Sequence, residues 1–389
     1  MSAKSNGREG NRYALDLNKF GVNVSNQLKD KTVGWAVAIY QGFGSKYAIP
    51  AAELKYSNSG GNAVLSPSTK MTSGTRMDVM SMSKTISAAA VVALLPWKLK
   101  TIDSPISPYL PSSWTRGQNV TQLTFRMILT HTTGLKAVAQ APDTDSTAYA
   151  NLEKMIENGV TGNVPATGSY LNEGYALLRV ILPYLWHGSE QMDLWESESP
   201  ESFPQFVAEQ YVDICKNWVL AWPSLKDVSV VPTGPAPFTR IYNFQDTSQS
   251  RASGKMTDIL HAGHDHWYMS AREYGRLIAD LRMGTYVAGT TCWATMTQSR
   301  AANAGSLPGY PGGDSRLGVW RFEGQHGEYF GHNGGYQFGG TSSNVVGSFA
   351  GWMAFPNNVT AVFLANSNLY FGYEQEKMLM DAYDTALAP

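Results

Sequence analysis

Apolar positions along this chain follow two rhythms. Near both ends they form short β-branched or aromatic runs, and in the middle they recur at helical spacing. Val33–Tyr40 (VGWAVAIY) predicts a strand, Tyr47–Lys55 a returning strand, and Asn58–Asn62 a turn cluster. Leu317–Phe322, Glu328–His332, Thr341–Val346, Gly351–Phe355 and Ala361–Asn366 read as successive short strands. Between these ends, Thr121–Leu129, Thr147–Asn158, Glu173–Trp186 (helical up to Pro183) and Ser202–Val219 read as helices. Asn18–Leu28, Ser270–Arg282 and Glu374–Leu387 add flanking helices, and Pro223–Ser253, broken by proline and glycine, reads as irregular. The stretch Ser87–Leu95 is apolar on nearly every side, which predicts a buried helix. Strands at both ends around a helical middle predict an α/β (α+β) fold. One antiparallel sheet is built from both termini and flanked by helices, with an all-helical domain inserted. The expected bounds are 13–75 and 265–389 for the sheet domain and 76–264 for the insertion, with the active site at the interface.

Composition narrows the possible functions. A net charge of −1 gives no electrostatic case for nucleic acid or an anionic membrane as partner. No apolar run reaches the ~18 residues that span a bilayer. The start, MSAKSNGREGNRY, has no apolar signal-peptide core, so a cytoplasmic protein is expected over an exported one. Cys215 and Cys292 are the only cysteines and sit in no metal-spaced motif.

The candidate chemistry begins just before the buried helix, at Ser81-Met82-Ser83-Lys84. Residues three apart share a helix face, so Lys84 would reach the Ser81 hydroxyl from one turn on. Burial pushes a lysine toward its neutral form, and a neutral amine beside a hydroxyl activates it as a nucleophile. Of all the lysines, only Lys84 has serine three residues before it. Three Tyr-x-Asn triplets follow, at Tyr56, Tyr149 and Tyr170. Tyr170-Leu171-Asn172 lies in a loop just before a helix, where the phenol can relay a proton and Asn172 can bond a substrate or Lys84. His332-Asn333-Gly334-Gly335 closes a strand candidate, and the N–H groups of Ser81 and Gly335 could bind an oxyanion. His261, His264 and His266 cluster with Asp265, but a cleft-lining loop is expected there and no metal. Tyr242 and Trp267 are candidates for lining the acyl pocket.

These motifs, in this order, resemble the serine β-lactamase/penicillin-binding superfamily, and in particular its class C-like branch of esterases, D-aminopeptidases and related transacylases. Leu129–Leu135 (LTHTTGL), Tyr170–Leu178, Trp267–Tyr274 and Ala361–Ser367 also have counterparts there. The resemblance implies an acyl-enzyme serine hydrolase with no cofactor and no metal. Ser81 would be the nucleophile, Lys84 and Tyr170 the proton-handling groups, and Asn172, His332 and Gly334 the substrate or relay contacts. His131 would orient the wall behind the site. One departure stands out: the third motif begins with His332 where β-lactamases usually carry lysine. That favours a small-molecule ester as substrate. The alternatives are an amide, as for a D-amino-acid peptidase or amidase, acyl transfer, or a β-lactamase or penicillin-binding receptor.

Overall fold

The computed structural model describes residues 14–45, 48–138, 145–232, 239–252, 259–283, 291–298, 314–338, 345–367 and 374–388. Its main sheet runs Thr69–Lys70, Ala48–Val64, Gly34–Ser45, Val359–Ala365, Val346–Phe355, Gly327–Phe338, Trp320–Gly324 and Asp314–Ser315. Every neighbouring pair is antiparallel. Gly34–Ser45 pairs with Val359–Ala365, Ile39 opposite Ala361, so both ends of the chain build one sheet as expected.

Strand alternation separates two apolar layers. Val37, Ile39, Ala361 and Phe363 share a core with helices Leu17–Leu28 and Glu374–Asp384. There Phe20 meets Phe355 and Tyr383 edge-on, at 5.4 and 5.6 Å. Ala36, Ala38, Val362 and Leu364 join the larger core, which holds helix Ala271–Met283 and the helical middle. The central helix Ser83–Leu94 lies within that core with every residue buried. The continuous helical stretch Met80–Lys98 is long and apolar enough to cross a membrane by composition, contrary to the sequence reading, but 83% of it is buried inside the protein.

The structure corrects several expectations. Asn58–Asn62 is no turn: Asn58, Ser59, Gly60 and Gly61 pair with Val37, Ala36, Trp35 and Gly34. Gly61 is needed for that approach, because a Cβ there would stand 2.0 Å from the Val33 carbonyl oxygen and its φ is +69°. The strand at Glu328–His332 runs from Gly327 to Phe338, since its glycines pair with Ala350 and Phe349. His332-Asn333-Gly334 therefore sits within a strand, not at its end. Gly351–Phe355 is the second half of one strand, Val346–Phe355, and 341–344 lie outside the described residues. Pro183 does not end its helix, which spans Leu178–His187. Helices Ser189–Glu198 and Thr291–Gln298 were not anticipated. Pro223–Ser253 contains a hairpin, Arg240–Tyr242 with Ser250–Ala252, that joins the main sheet where Tyr242 pairs with Gly347. The insertion is thus helical in its earlier part, and its last stretch contributes to the sheet.

Candidate active site

Ser81 lies in a short 3₁₀ turn, Met80–Met82, that leads into the central helix at Ser83. Met80 before it is left-handed (φ 53°), a conformation strained for a side chain of this kind. The turn is held by the Met80 N–H, which donates to Asp78 Oδ1 at 2.7 Å, and by the Val79 N–H, which donates to the Trp267 carbonyl at 2.9 Å. Lys84 follows one helical step later and is fully buried. Its Nζ donates to Ser81 Oγ and to the His264 carbonyl, both at 2.9 Å. No carboxylate pairs directly with it among the described residues. Burial lowers its pKa to about 7, against the opposing charges of Asp265 and Glu173. Near neutral pH a large fraction of Lys84 is therefore a free amine.

Tyr170 brings its ring to 4.9 Å from Lys84 Nζ, and its hydroxyl bonds with Ser81. Although 39% of the residue is exposed, desolvation at the hydroxyl end raises its pKa. The Ser81 bond opposes that shift and the Asp265 charge adds to it. Tyr170 is thus a neutral phenol able to pass a proton on. His131 packs beside it, its ring tilted and 4.5 Å away, and takes the Leu171 N–H on Nδ1 at 3.1 Å, fixing the loop that carries the phenol. Burial chiefly, and then the Lys84 charge, keep the His131 pKa well below the usual histidine value, so Nδ1 stays an acceptor.

The strand Gly327–Phe338 passes directly over the nucleophile turn. A Cβ on Gly334 would stand 2.7 Å from the Val79 carbonyl oxygen and 3.0 Å from the Ser81 nitrogen. The Trp320–Gly324 strand pairs only as far as Gly331, so Gly334 and Gly335 have a partner strand on one side alone among the described residues. His332 is 1% exposed and stacks on Trp320 at 4.3 Å, and its Nδ1 donates to the Asn333 carbonyl at 2.6 Å. Burial and the Lys84 charge push its pKa down to about 3, so it is neutral throughout the physiological range.

The Beta-lactamase family model matches residues 27–185, the segment that carries Ser81, Lys84 and Tyr170. The fold matches a D-stereospecific amidohydrolase from Streptomyces sp. with a TM-score of 0.66, at 14% identity, covering 95% of this chain and 98% of that one. It matches a class C beta lactamase from Rhodobacter sphaeroides with a TM-score of 0.65, at 16% identity, covering 95% and 99%. The chain thus matches the Beta-lactamase family model over part of its length, and its described fold is similar to that of these proteins. A D-amino acid amidase from Ochrobactrum anthropi SV3 also shares the fold (TM-score 0.63, 15% identity, covering 95% and 98%). No curated protein matches the sequence.

Within this fold, the structure gathers Ser81, Lys84, Tyr170, His332 and Gly334 and separates others from them. Tyr242, expected at the acyl pocket, is 2% exposed in its sheet pairing and takes the Leu65 N–H on its hydroxyl at 2.8 Å. Trp267 has no exposed surface; its backbone N–H donates to Ser83 Oγ and its ring packs in the core, so it supports the Ser81 turn from behind. Asn172 opens helix Asn172–Ala176 but is exposed and bonds neither Lys84 nor Ser81, while the buried Glu173 beside it faces Lys84 electrostatically. Tyr149 and Tyr56, the rival tyrosines, bond Glu196 and Ser25 at 3.0 Å each, away from the serine. Sequence reasoning missed Glu173, Trp320 and the direct role of the His264 carbonyl. Only the Tyr170-Leu171-Asn172 motif pointed to the neighbourhood of Glu173.

Proposed function

We propose that this protein is a serine hydrolase that works through an acyl-enzyme on small-molecule esters. The observation that carries the reading is the buried Lys84 amine, 2.9 Å from Ser81 Oγ with no carboxylate paired to it among the described residues. Ser81 Oγ attacks the substrate carbonyl while its proton passes to Lys84 Nζ. The N–H groups of Ser81 and Gly335 receive the developing oxyanion. Tyr170 hands a proton to the leaving group as the tetrahedral intermediate collapses to the acyl-serine. Water then attacks the acyl carbon, giving its proton back through Tyr170 and Lys84, and Ser81 leaves with a proton.

An ester is favoured over a β-lactam because the third motif offers no cation. A neutral His332 gives a substrate carboxylate no charge to pair with. A D-amino-acid amide is the second reading, supported by two fold neighbours described as a D-stereospecific amidohydrolase and a D-amino acid amidase. The test is one purified sample against short-chain esters, D-amino-acid amides and a chromogenic cephalosporin, with Ser81→Ala as control. Turnover and fluorophosphonate labelling are expected for the wild type and neither for Ser81→Ala. Cephalosporin turnover above the ester rate would overturn the ester assignment, and labelling of Ser81→Ala with activity intact would overturn the nucleophile.

A further inference from the structure

Behind Lys84 lies a polar group that the reaction above does not use. Asp265 is 6% exposed and is surrounded by three donors. His264 Nε2 lies 3.1 Å from its Oδ2, the Tyr336 hydroxyl donates to the same oxygen at 2.6 Å, and His266 Nδ1 meets Oδ1. A buried carboxylate satisfied on both oxygens is held in one place. Each donor leads to a different part of the site. The His264 carbonyl receives Lys84 Nζ. Tyr336 is the residue after Gly335, on the strand that crosses the nucleophile turn. His266, itself left-handed at φ 76°, carries a charge facing Asp78, the carboxylate that fixes the Met80 N–H. Short chains of contacts thus link the lysine, the glycine strand and the serine turn to a single carboxylate.

We propose that Asp265 is a positioning residue for the Ser81–Lys84 pair. It ties the Gly335 strand to the loop that holds Lys84, and its fixed charge favours Lys84 accepting the serine proton. This rests on the reading of Ser81 as nucleophile and Lys84 as base. The charge is present because the His264 and His266 charges and hydrogen bonds outweigh burial and hold the Asp265 carboxyl well below the usual range. From the other elements, Lys84 is faced by Glu173, His131 and His332, and the Asp265 charge also reaches Asp78, Tyr170 and Tyr336.

The experiment is the rate of Ser81 labelling by a fluorophosphonate from pH 5 to 10, in wild type and Asp265→Asn. Labelling needs no knowledge of the substrate. In the wild type the rate falls on the acid side as Lys84 takes up a proton. In Asp265→Asn that acid limb moves to lower pH by about one unit, the order of effect that loss of a nearby opposite charge exerts. A variant that folds, with a rate reduced by the same factor at every pH and an unmoved limb, overturns the proposal. If Asp265→Asn does not fold, Tyr336→Phe decides. With the carboxylate kept and the tether cut, the rate drops about tenfold or more while the limb stays, and an unchanged rate overturns the tether. Failure of the wild type to label at Ser81 overturns the catalytic reading and this inference with it. A labelled wild type with an unmoved limb in Asp265→Asn removes the inference alone.

Discussion

Lys84→Met separates the function of the buried lysine from its effect on stability. In the folded protein its pKa falls from an ordinary 10.5 to about 7. The unfolded chain therefore holds a proton that the folded chain has lost between those two values. Stability rises with pH wherever the unfolded state binds more protons, so the wild type gains stability from about pH 7 upward. Below pH 7 both states are protonated and the folded one bears the full burden of a buried charge, on the order of 5 kcal/mol. Methionine fills a similar unbranched volume without the charge. It also leaves the His264 carbonyl without its donor, which costs about 1–3 kcal/mol. The net expectation is a variant about 2–4 kcal/mol more stable than wild type at pH 6, an advantage that closes or reverses by pH 9.5. Turnover meanwhile falls by about 10²–10⁴-fold as the base is lost. Urea unfolding of both proteins at the two pH values measures this, since all other titrating groups are common to both. Parallel pH dependences, or a variant less stable at pH 6, would refute the claim that Lys84 is held neutral by burial.

Tyr170→Phe removes only the hydroxyl beside Ser81 and is expected to lower kcat by about 10²–10⁴-fold with the fold intact, whereas Tyr149→Phe and Tyr56→Phe keep kcat near wild type. A large loss at Tyr149 alone would reverse the choice of motif. Gly334→Ala places a Cβ 3.0 Å from the Ser81 nitrogen, so the strand must retreat from the nucleophile turn. Overpacking of this kind costs about 1–3 kcal/mol in thermal unfolding and is expected to reduce Ser81 labelling more than substrate affinity. His332→Lys is expected to raise the ratio of kcat/KM for a β-lactam to that for a neutral ester, even as total activity falls, because a charged partner for a carboxylate contributes about 1.5–3 kcal/mol. An unchanged ratio would detach the third motif from substrate class.

Periodicity carried the fold as far as local patterns reach. Val33–Tyr40 and Ala361–Asn366 announced themselves as strands because β-branched and aromatic residues dominate them, and their pairing at the sheet centre follows from both being buried. Pattern failed where glycine and asparagine carry a strand. At Asn58–Asn62 and Gly334–Gly335 the residues are turn formers by themselves, and only the partners Val37–Gly34 and Ala350–Phe349 make them extended. Glycine in those strands marks close approach of another backbone, to Val33 in one case and to Ser81 in the other. The Ser81–Lys84 contact was legible because its spacing lies within one helical turn. Tyr242 and Trp267 were misplaced because an aromatic residue near a motif looks the same in sequence whether it lines a cleft or supports it. Their burial is decided by partners at Leu65, Gly347 and Ser83, distant in sequence.

The acidity of the site is the property least visible in sequence, because it is a balance among segments far apart. Burial in an apolar helix drives Lys84 toward the free amine, and Asp265 and Glu173 pull it back to about 7. A second cation in the third motif would tilt that balance further toward the amine. His332 avoids this by being buried against Trp320 and uncharged, with its proton fixed on Nδ1 by the Asn333 carbonyl. The same substitution that would let the site greet a carboxylate would therefore also lower the pH at which Lys84 can act as base. Substrate class and pH dependence are coupled here through one side chain. A histidine in the third motif and a carboxylate behind the lysine are two parts of a single electrostatic setting, in which the lysine beside the serine changes protonation close to neutral pH.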